Sequence, residues 1–569
     1  MQGWVSELDS AIPEGFDAFT RANASEVLPE VLTPLVHSVL FELGERGFQR
    51  SAIEAGAWSG PVRTSPPYFQ GCFYGRVVLN VSTLLHCAAR LPGQDPVALG
   101  ENYLGETRAR DVVVTRDLAV RRLARLPRIV AMVARIRRRA ATAVRVTDAF
   151  LDDQSPIDSL DADELARSVA RTRTVSEDVL VVHLHASSLA GAAYESLGRA
   201  VARWRGTPDP ALTARLVTGL STLESTRPTE ALWAWSRRLL GDVDQTELVR
   251  ETPAGALLVE LASGETASAR TLGDQLERFL DRYGARGPDA GSSWREDPRP
   301  VLEMLRGFLD LPEDRCPARV AARQHNARAQ AVAELRAGLG VARRLRLRVL
   351  LSQTSRYLSL REQLKGAVVQ LTSHLRAHAW ACADRLVTAG GLDNREDASF
   401  LGLDELLDAV AGHGAASLRE KVERRRTEYE RNLTIQIPET FTGRPEPQPK
   451  VVALPTNGDV RELRGIAVSP GRVTASARVI RDLDADDMIE PGEILVAPIT
   501  DTGWTPLFAF ASGLVVDLGG QLSHGSIVAR EFGLPAVVNV KVGTSAIATG
   551  DTVTVDGDTG VVHIHRAPA

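Results

Sequence analysis

The chain has 569 residues, 44% of them hydrophobic and 24% charged, with a formal net charge of −5. A length of this order implies about two to four domains with ample core. The charge balance excludes, on charge alone, a nucleic-acid binder or a protein held to an anionic membrane. Four scattered cysteines, Cys72, Cys87, Cys316 and Cys382, show no metal-type spacing and fit a reducing cytoplasm better than a disulfide framework. Near the start stand Glu7 and Asp9, with no basic region leading into an apolar signal core. No run of about 18 apolar residues predicts a membrane span. Leu, Ala, Arg and Val are abundant while Lys, Met and Ile are scarce, the composition of a GC-rich bacterial genome.

In chain order, Phe19 to Pro29 leads to Thr33-Pro34-Leu35, and Tyr74-Gly75-Arg76-Val77-Val78-Leu79-Asn80 precedes a helical pattern that closes at Leu91-Pro92-Gly93. Arg76 and Asn80 are four apart and share a face if helical, as a surface pair or as ligand contacts. Residues 108–150 are arginine-rich, from Arg121 to Arg139, with Leu118, Leu123, Leu126, Ile129, Val133 and Ile136 interleaved and Pro127 interrupting the pattern. A solvated helix with arginine stems over apolar surface, a membrane-surface helix and a partner surface all fit that pattern. His183 and His185 lie two apart, not at helical metal-ligand spacing, and no metal site is expected.

Residues 279–298 carry Tyr283-Gly284-Ala285-Arg286-Gly287 and then Trp294-Arg295-Glu296-Asp297-Pro298. Two long helices are expected over 318–390, the second with Leu364, Val368, Leu371 and Leu375 in one stripe. At its start stands Arg361-Glu362-Gln363-Leu364-Lys365, where Arg361 and Lys365 share a face and can address one anion. Gly390-Gly391 stops the helix. Prolines 438, 445, 447, 449 and 455 mark a semi-rigid linker. The expected division is a helical domain at 1–437, the linker at 438–464, and a compact α/β domain at 465–569 whose strands alternate with short helices.

Within that last domain an apolar strand, Gly513 to Val516, runs into Gly519-Gly520-Gln521-Leu522-Ser523-His524-Gly525, after which Ile527, Val528 and Phe532 follow helical spacing. Ser523 is the expected N-cap and His524 falls at the helix start. There the helix dipole disfavours an imidazolium and favours a phosphoryl group once attached.

This stretch, continuing to Ala529-Arg530-Glu531-Phe532-Gly533-Leu534-Pro535-Ala536-Val537-Val538, resembles the phosphohistidine motif of the phosphoenolpyruvate-utilising enzymes. Gly465 to Gly471 and Thr502-Gly503-Trp504-Thr505-Pro506 resemble the swivelling phosphohistidine domain of that family. The Arg361-Glu362-x-x-Lys365 pattern is similar to one in the substrate domain of rifampin phosphotransferase and its relatives, and the resemblance spans nearly the whole chain. It implies that His524 is the phosphorylated residue, with Ser523, Gly520 and Gly525 supporting the phosphate. It implies that Arg361 and Lys365 neutralise the phosphoryl group, and that Arg76, Asn80, Arg286 and Glu362 contact the substrate. Alanine at 285 stands where the family pattern has histidine.

No ATP-grasp domain, no G-x-x-x-x-G-K-[ST] loop and no phosphoenolpyruvate-binding barrel is found in the sequence. The expected protein is a cytoplasmic phosphotransferase component with no tightly bound cofactor. ATP and Mg2+ would act through a separate ATP-grasp subunit, and the acceptor would be a small molecule, an antibiotic or other natural product. The alternatives are a non-catalytic ligand-binding homologue and a ligase-type enzyme working through a phosphorylated intermediate.

Overall fold

The computed structural model describes residues 5–21, 28, 30–97, 99–100, 104, 112, 117–220, 224–287, 292–414, 417–449, 462–481, 483 and 488–565. It packs as two compact units, Met1–Leu189 with Gln363–Val451, and Ala190–Glu362 with Val452–Ala569.

In the first unit, strands β1 (Ala18–Thr20), β2 (Gln70–Phe73) and β3 (Arg76–Asn80) are joined late in the chain by β4 (Ile435–Gln436), β5 (Thr440–Thr442) and β6 (Gln448–Pro449). An antiparallel sheet runs in the order β2-β3-β1-β5, and β4 pairs with β6. Phe19 anchors its core, 5.4 Å from the Phe73 ring and 5.5 Å from that of Phe441. Tyr74 and Gly75 both take positive φ, 53° and 71°, the backbone a two-residue hairpin needs between β2 and β3. Arg76 and Asn80 therefore lie on a strand, not on a helix. The first part of the proline-rich stretch is built into strands at β5 and β6, while residues 450–461 of the expected linker lie outside the described residues. Most of the Ala22 to Pro29 segment lies outside them too.

Helix α1 (Leu126–Asp152) follows a short helix, Ala119–Ala124. Pro127 occupies the first turn of α1, where its missing N–H breaks no helical bond, so it starts a helix rather than kinking one. Ile136, Ala140, Ala143 and Thr147 form the buried stripe of α1 and leave Val130 exposed; Leu118, Val120 and Leu123, in and beside the short helix before it, are exposed too. The division between the units falls within two long helices, α2 (Ala162–Arg205) and α4 (Val341–Thr388). In the first unit Leu165 and Val169 of α2 share a core with Leu375, Ala379, Cys382 and Leu386 of α4. Because α4 begins at Val341, the Arg361 motif sits deep inside it and not at its start. The helix ends at Thr388, with Gly390 at φ 73° and the Gly391 N–H donating to the Leu386 carbonyl.

The second unit contains helix α3 (Pro317–Ala337) and an eight-stranded sheet. Its strands are β7 (Glu462–Arg464), β8 (Ile466–Ser469), β9 (Arg472–Val479), β10 (Ile494–Ala497), β11 (Gly513–Val516), β12 (Ala536–Val538), β13 (Thr552–Asp556) and β14 (Val561–His565). They run in the order β7-β14-β13-β9-β10-β11-β12-β8, with β9 through β12 mutually parallel. The central strands are apolar on both faces, as parallel strands covered on both sides must be. Ile494, Val496, Val515 and Val537 face an inner core with Val553 and Val555. Leu495, Ala497, Leu514, Val516 and Val538 face the opposite way, into a core shared with Trp233, Trp235, Phe279, Trp294 and Phe308 of the helical segment. The fold is thus largely helical with a C-terminal α/β region, as the sequence pattern predicts.

Candidate functional site

The site is built on the turn from β11 into helix α5 (His524–Phe532). Ser523 is the N-cap at φ −60° and ψ 158°, its Oγ accepting from Ser526 N at 3.4 Å. The Ser523 and Ser526 hydroxyls lie 2.8 Å apart, and Ser526 Oγ donates to the Gly520 carbonyl at 2.7 Å. Two hydroxyls thus tie the glycine loop to the first helical turn. Gly525 is a close-approach position, since a Cβ there would overlap Thr500 Oγ1. At the far end Gly533 takes φ 67° as the left-handed cap.

His524 is the first residue of α5 and only 5% exposed. Its Nε2 lies 3.0 Å from Thr505 Oγ1, within the 3-10 segment Thr502–Ala509. Its Nδ1 lies 3.6 Å from Glu362 Oε2. That is ion-pair range rather than a hydrogen bond. Glu362 is itself buried, and its Oε1 accepts from Arg361 Nη1 at 2.7 Å. A carboxylate beside Nδ1 favours the tautomer with the proton there, leaving the lone pair on Nε2. The helix start adds its own preference for a neutral ring. The result is a nucleophilic nitrogen at the start of a helix, where the dipole favours an attached phosphoryl group.

Further along α5, Arg530 is buried, and Nη1 donates to the carbonyls of Val468 at 3.1 Å and Gln521 at 2.9 Å. Its guanidinium lies 6.0 Å from the centre of the Tyr194 ring. Burial lowers the Arg530 pKa and raises that of Tyr194. Glu531 accepts from Leu220 N at 3.2 Å, and burial pushes its carboxyl up to about 7 against the pull of that N–H and of Arg530 and Arg328. Thr218 Oγ1 donates to the Arg530 carbonyl at 2.6 Å, and Gly503 N to that of Gly287 at 2.8 Å. These contacts fasten the α/β domain to the helical segment within the unit.

Of the residues singled out from sequence, His524, Glu362 and Arg361 come together, with Ser523, Gly520 and Gly525 around the same turn. Lys365 lies one turn beyond Arg361 on α4, past the division between the units. Arg286 is buried away from the ring's described contacts, donating to the Glu224 carbonyl at 3.1 Å and lying 3.6 Å from Glu224 Oε1. Arg76 and Asn80 belong to the other unit and both are buried. Arg76 donates twice to the Ile435 carbonyl, at 3.2 and 2.7 Å. Asn80 Oδ1 caps the next helix by accepting from Thr83 N at 3.0 Å, and its Nδ2 donates to Phe16 O at 2.8 Å. Sequence reasoning gave no role to Thr505, Arg530, Glu531 or Tyr194. The first three lie inside motifs already quoted, whereas nothing near Tyr194 in the sequence marks it. Among the described residues no group of three metal-ligating side chains occurs, and no helix is long and apolar enough to cross a membrane.

Residues 489–560 match the family described as PEP-utilising enzyme, mobile domain, and residues 183–362 match the rifampicin phosphotransferase fourth domain. The chain is 33% identical over 346 residues to the prodigiosin synthesizing transferase PigC of Serratia marcescens, covering 58% of this chain and 38% of that protein. It is 34% identical over 309 residues to a rifampicin phosphotransferase of Streptomyces sp, covering 51% of this chain and 34% of the relative. Identity to the chondramide synthase cmdD of Chondromyces crocatus is 31% over 367 residues, 60% of this chain but 9% of that protein. The chain thus spans well under half the length of each of these relatives. The matches and the histidine turn agree: residues 489–560 are similar to the mobile domain of PEP-utilising enzymes, and the helical segment at 183–362 is similar to the fourth domain of rifampicin phosphotransferase.

Proposed function

We propose that the chain relays a phosphoryl group through His524 to a small-molecule acceptor. The observation that carries this reading is the His524 ring itself, first in its helix and set between Thr505 and Glu362, inside the segment that matches the mobile domain. In the first step the Nε2 lone pair attacks the β-phosphorus of ATP, the N–P bond forms and the P–O bond to AMP breaks; water then cleaves the β–γ P–O link, releasing inorganic phosphate and leaving one phosphoryl group on Nε2. The Nδ1 proton stays opposite Glu362. In the second step an acceptor hydroxyl oxygen attacks phosphorus and the N–P bond breaks. Its proton passes to a carboxylate, and Glu362 is the one beside the ring. Arg361, bonded to Glu362, offsets the charge on the transferring group. Splitting one transfer into two lets a single nucleophile serve two distant sites. The donor in this reading is Mg-ATP bound by a separate ATP-grasp subunit.

Similarity to a protein named as a prodigiosin synthesizing transferase supports a second reading. Here the phosphorylated acceptor is an intermediate, and a second substrate displaces phosphate.

The test is phosphohistidine formation on the full chain with Mg-ATP labelled at the β-phosphate, alone and with an ATP-grasp protein shown to be active. Label on the wild type with the partner and none on His524→Ala is the expected result. No label with an active, bound partner overturns the relay. Product analysis then separates a phosphorylated acceptor from a condensed product with free inorganic phosphate.

A further inference from the structure

A cavity of about 360 Å³ opens in the second unit at the C-terminal end of α5, the opposite end from His524. Its apolar wall comes from the α/β domain, with Phe508, Phe532, Leu534 and Pro535. The other wall carries Arg315 and Arg323, just before and within α3. Phe508 and Phe532 lie 6.2 Å apart with tilted rings, giving the wall an aromatic surface. Each arginine spends one nitrogen on a main-chain carbonyl, Arg315 Nη1 on Ala511 at 2.8 Å and Arg323 Nη1 on Asp314 at 2.9 Å. Neither has a carboxylate partner among the described residues. Two guanidiniums with N–H groups to spare, facing an aromatic wall in a space of this size, match the pattern of a small-molecule site: an apolar body fixed by a few convergent polar groups.

We propose that this cavity binds a small amphipathic anion, a flat aromatic or alicyclic body carrying one carboxylate or sulfonate. Such a ligand touches both the α/β domain and the helical segment, so it binds the docked arrangement and not a separated one. By linkage it holds the domain docked. That consequence rests on the relay reading, in which the domain must leave to collect its phosphoryl group; the binding itself does not.

The experiment is a fluorescence titration of the full chain with 1-anilinonaphthalene-8-sulfonate, compared with uncharged N-phenyl-1-naphthylamine. Saturable binding at one site is expected. It should weaken about tenfold or more in Arg323→Ala, the loss of one charge-assisted contact, and in Ser512→Trp, which fills the cavity from its lining. Arg315→Lys keeps the charge and retains most of the binding. Equal affinity for the uncharged body, or affinity unchanged in both Arg323→Ala and Ser512→Trp, overturns the proposal, as does the absence of saturable binding. Arg323 is exposed, so its variant keeps the fold. In the labelling assay the sulfonate should slow phosphorylation of the wild type and not of Ser512→Trp. Because the titration involves no phosphoryl transfer, a chain that binds the probe but never labels leaves the cavity proposal standing and removes only the relay.

Discussion

In the proposed relay the chemistry at His524 depends on which nitrogen keeps the proton, and Glu362 is the carboxylate that faces Nδ1. Glu362→Gln removes the charge opposite Nδ1 and frees Arg361 from its partner, while the side-chain shape is kept. Phosphoryl transfer should fall about a hundredfold, and loss of the buried charge pair should lower the thermal midpoint as well. A variant that labels and transfers normally would remove Glu362 from the mechanism. Glu531 gives a different signal. Its folded pKa is raised from the model-peptide value of 4.5 to about 7, so between those values the folded state holds a proton that the unfolded state has lost. Its contribution is fully present below 4.5 and is lost as pH rises through about 7. The thermal midpoint of the wild type should therefore drop between pH 6 and pH 8. Glu531→Gln should flatten that drop, recovering on the order of 1–3 kcal/mol at the higher pH. Parallel pH profiles for the two proteins would show that Glu531 does not titrate in this range. His524 and its cap were legible because strand, glycines, serine and apolar helix spacing occur in one short run. Thr505 was not, because a hydroxyl nineteen residues upstream meets the ring only through the tertiary fold.

At the level of elements, the turn before α5 works because a bare Cα at Gly525 lets the helix approach Thr500. Gly525→Ala should cost about 1–3 kcal/mol through overpacking and displace the His524 turn, lowering labelling. Adding Thr500→Ala removes the obstructing hydroxyl and should restore most of both. Additive losses in that double-mutant cycle would place the fault elsewhere. The shared helical face considered for Arg76 and Asn80 is not realised: Val77 and Val78 are β-branched and follow a Tyr-Gly turn, both strand signals, and the helix begins only after Asn80. The motif at Arg361 was misplaced. Periodicity identifies a helix far better than it locates its ends, and α4 runs 48 residues without an internal break.

At the scale of the whole molecule, the helical and α/β regions were legible from periodicity alone. The grouping of residues 190–362 with 452–569 was not, since it follows from packing between residues distant in sequence. Some arginines of the arginine-rich region are engaged within the chain and others are not. Arg139 is held by Glu54 at 2.7 Å and Arg125 by Asp117 at 2.7 Å, whereas Arg137 and Arg138 are exposed. Arg137→Glu with Arg138→Glu, leaving Arg139 in place, should abolish labelling by a partner subunit in trans while the fold and thermal midpoint persist. Unchanged labelling would move the docking surface off α1.

The α/β domain shares a core with the helical segment: the Phe510 ring lies 5.0 Å from that of Phe308, and a Cβ on Gly307 would approach Phe510 to 2.9 Å. A domain that swings away from such a core wets aromatic and aliphatic surface at every turnover. Its departure then carries a positive heat-capacity change, so the separated population follows a curve with temperature rather than a straight van't Hoff line. Cooling weakens the hydrophobic grip and warming strengthens it over the lower part of the range. In the relay reading the separated population is smallest not in the cold but near the temperature at which that grip is greatest.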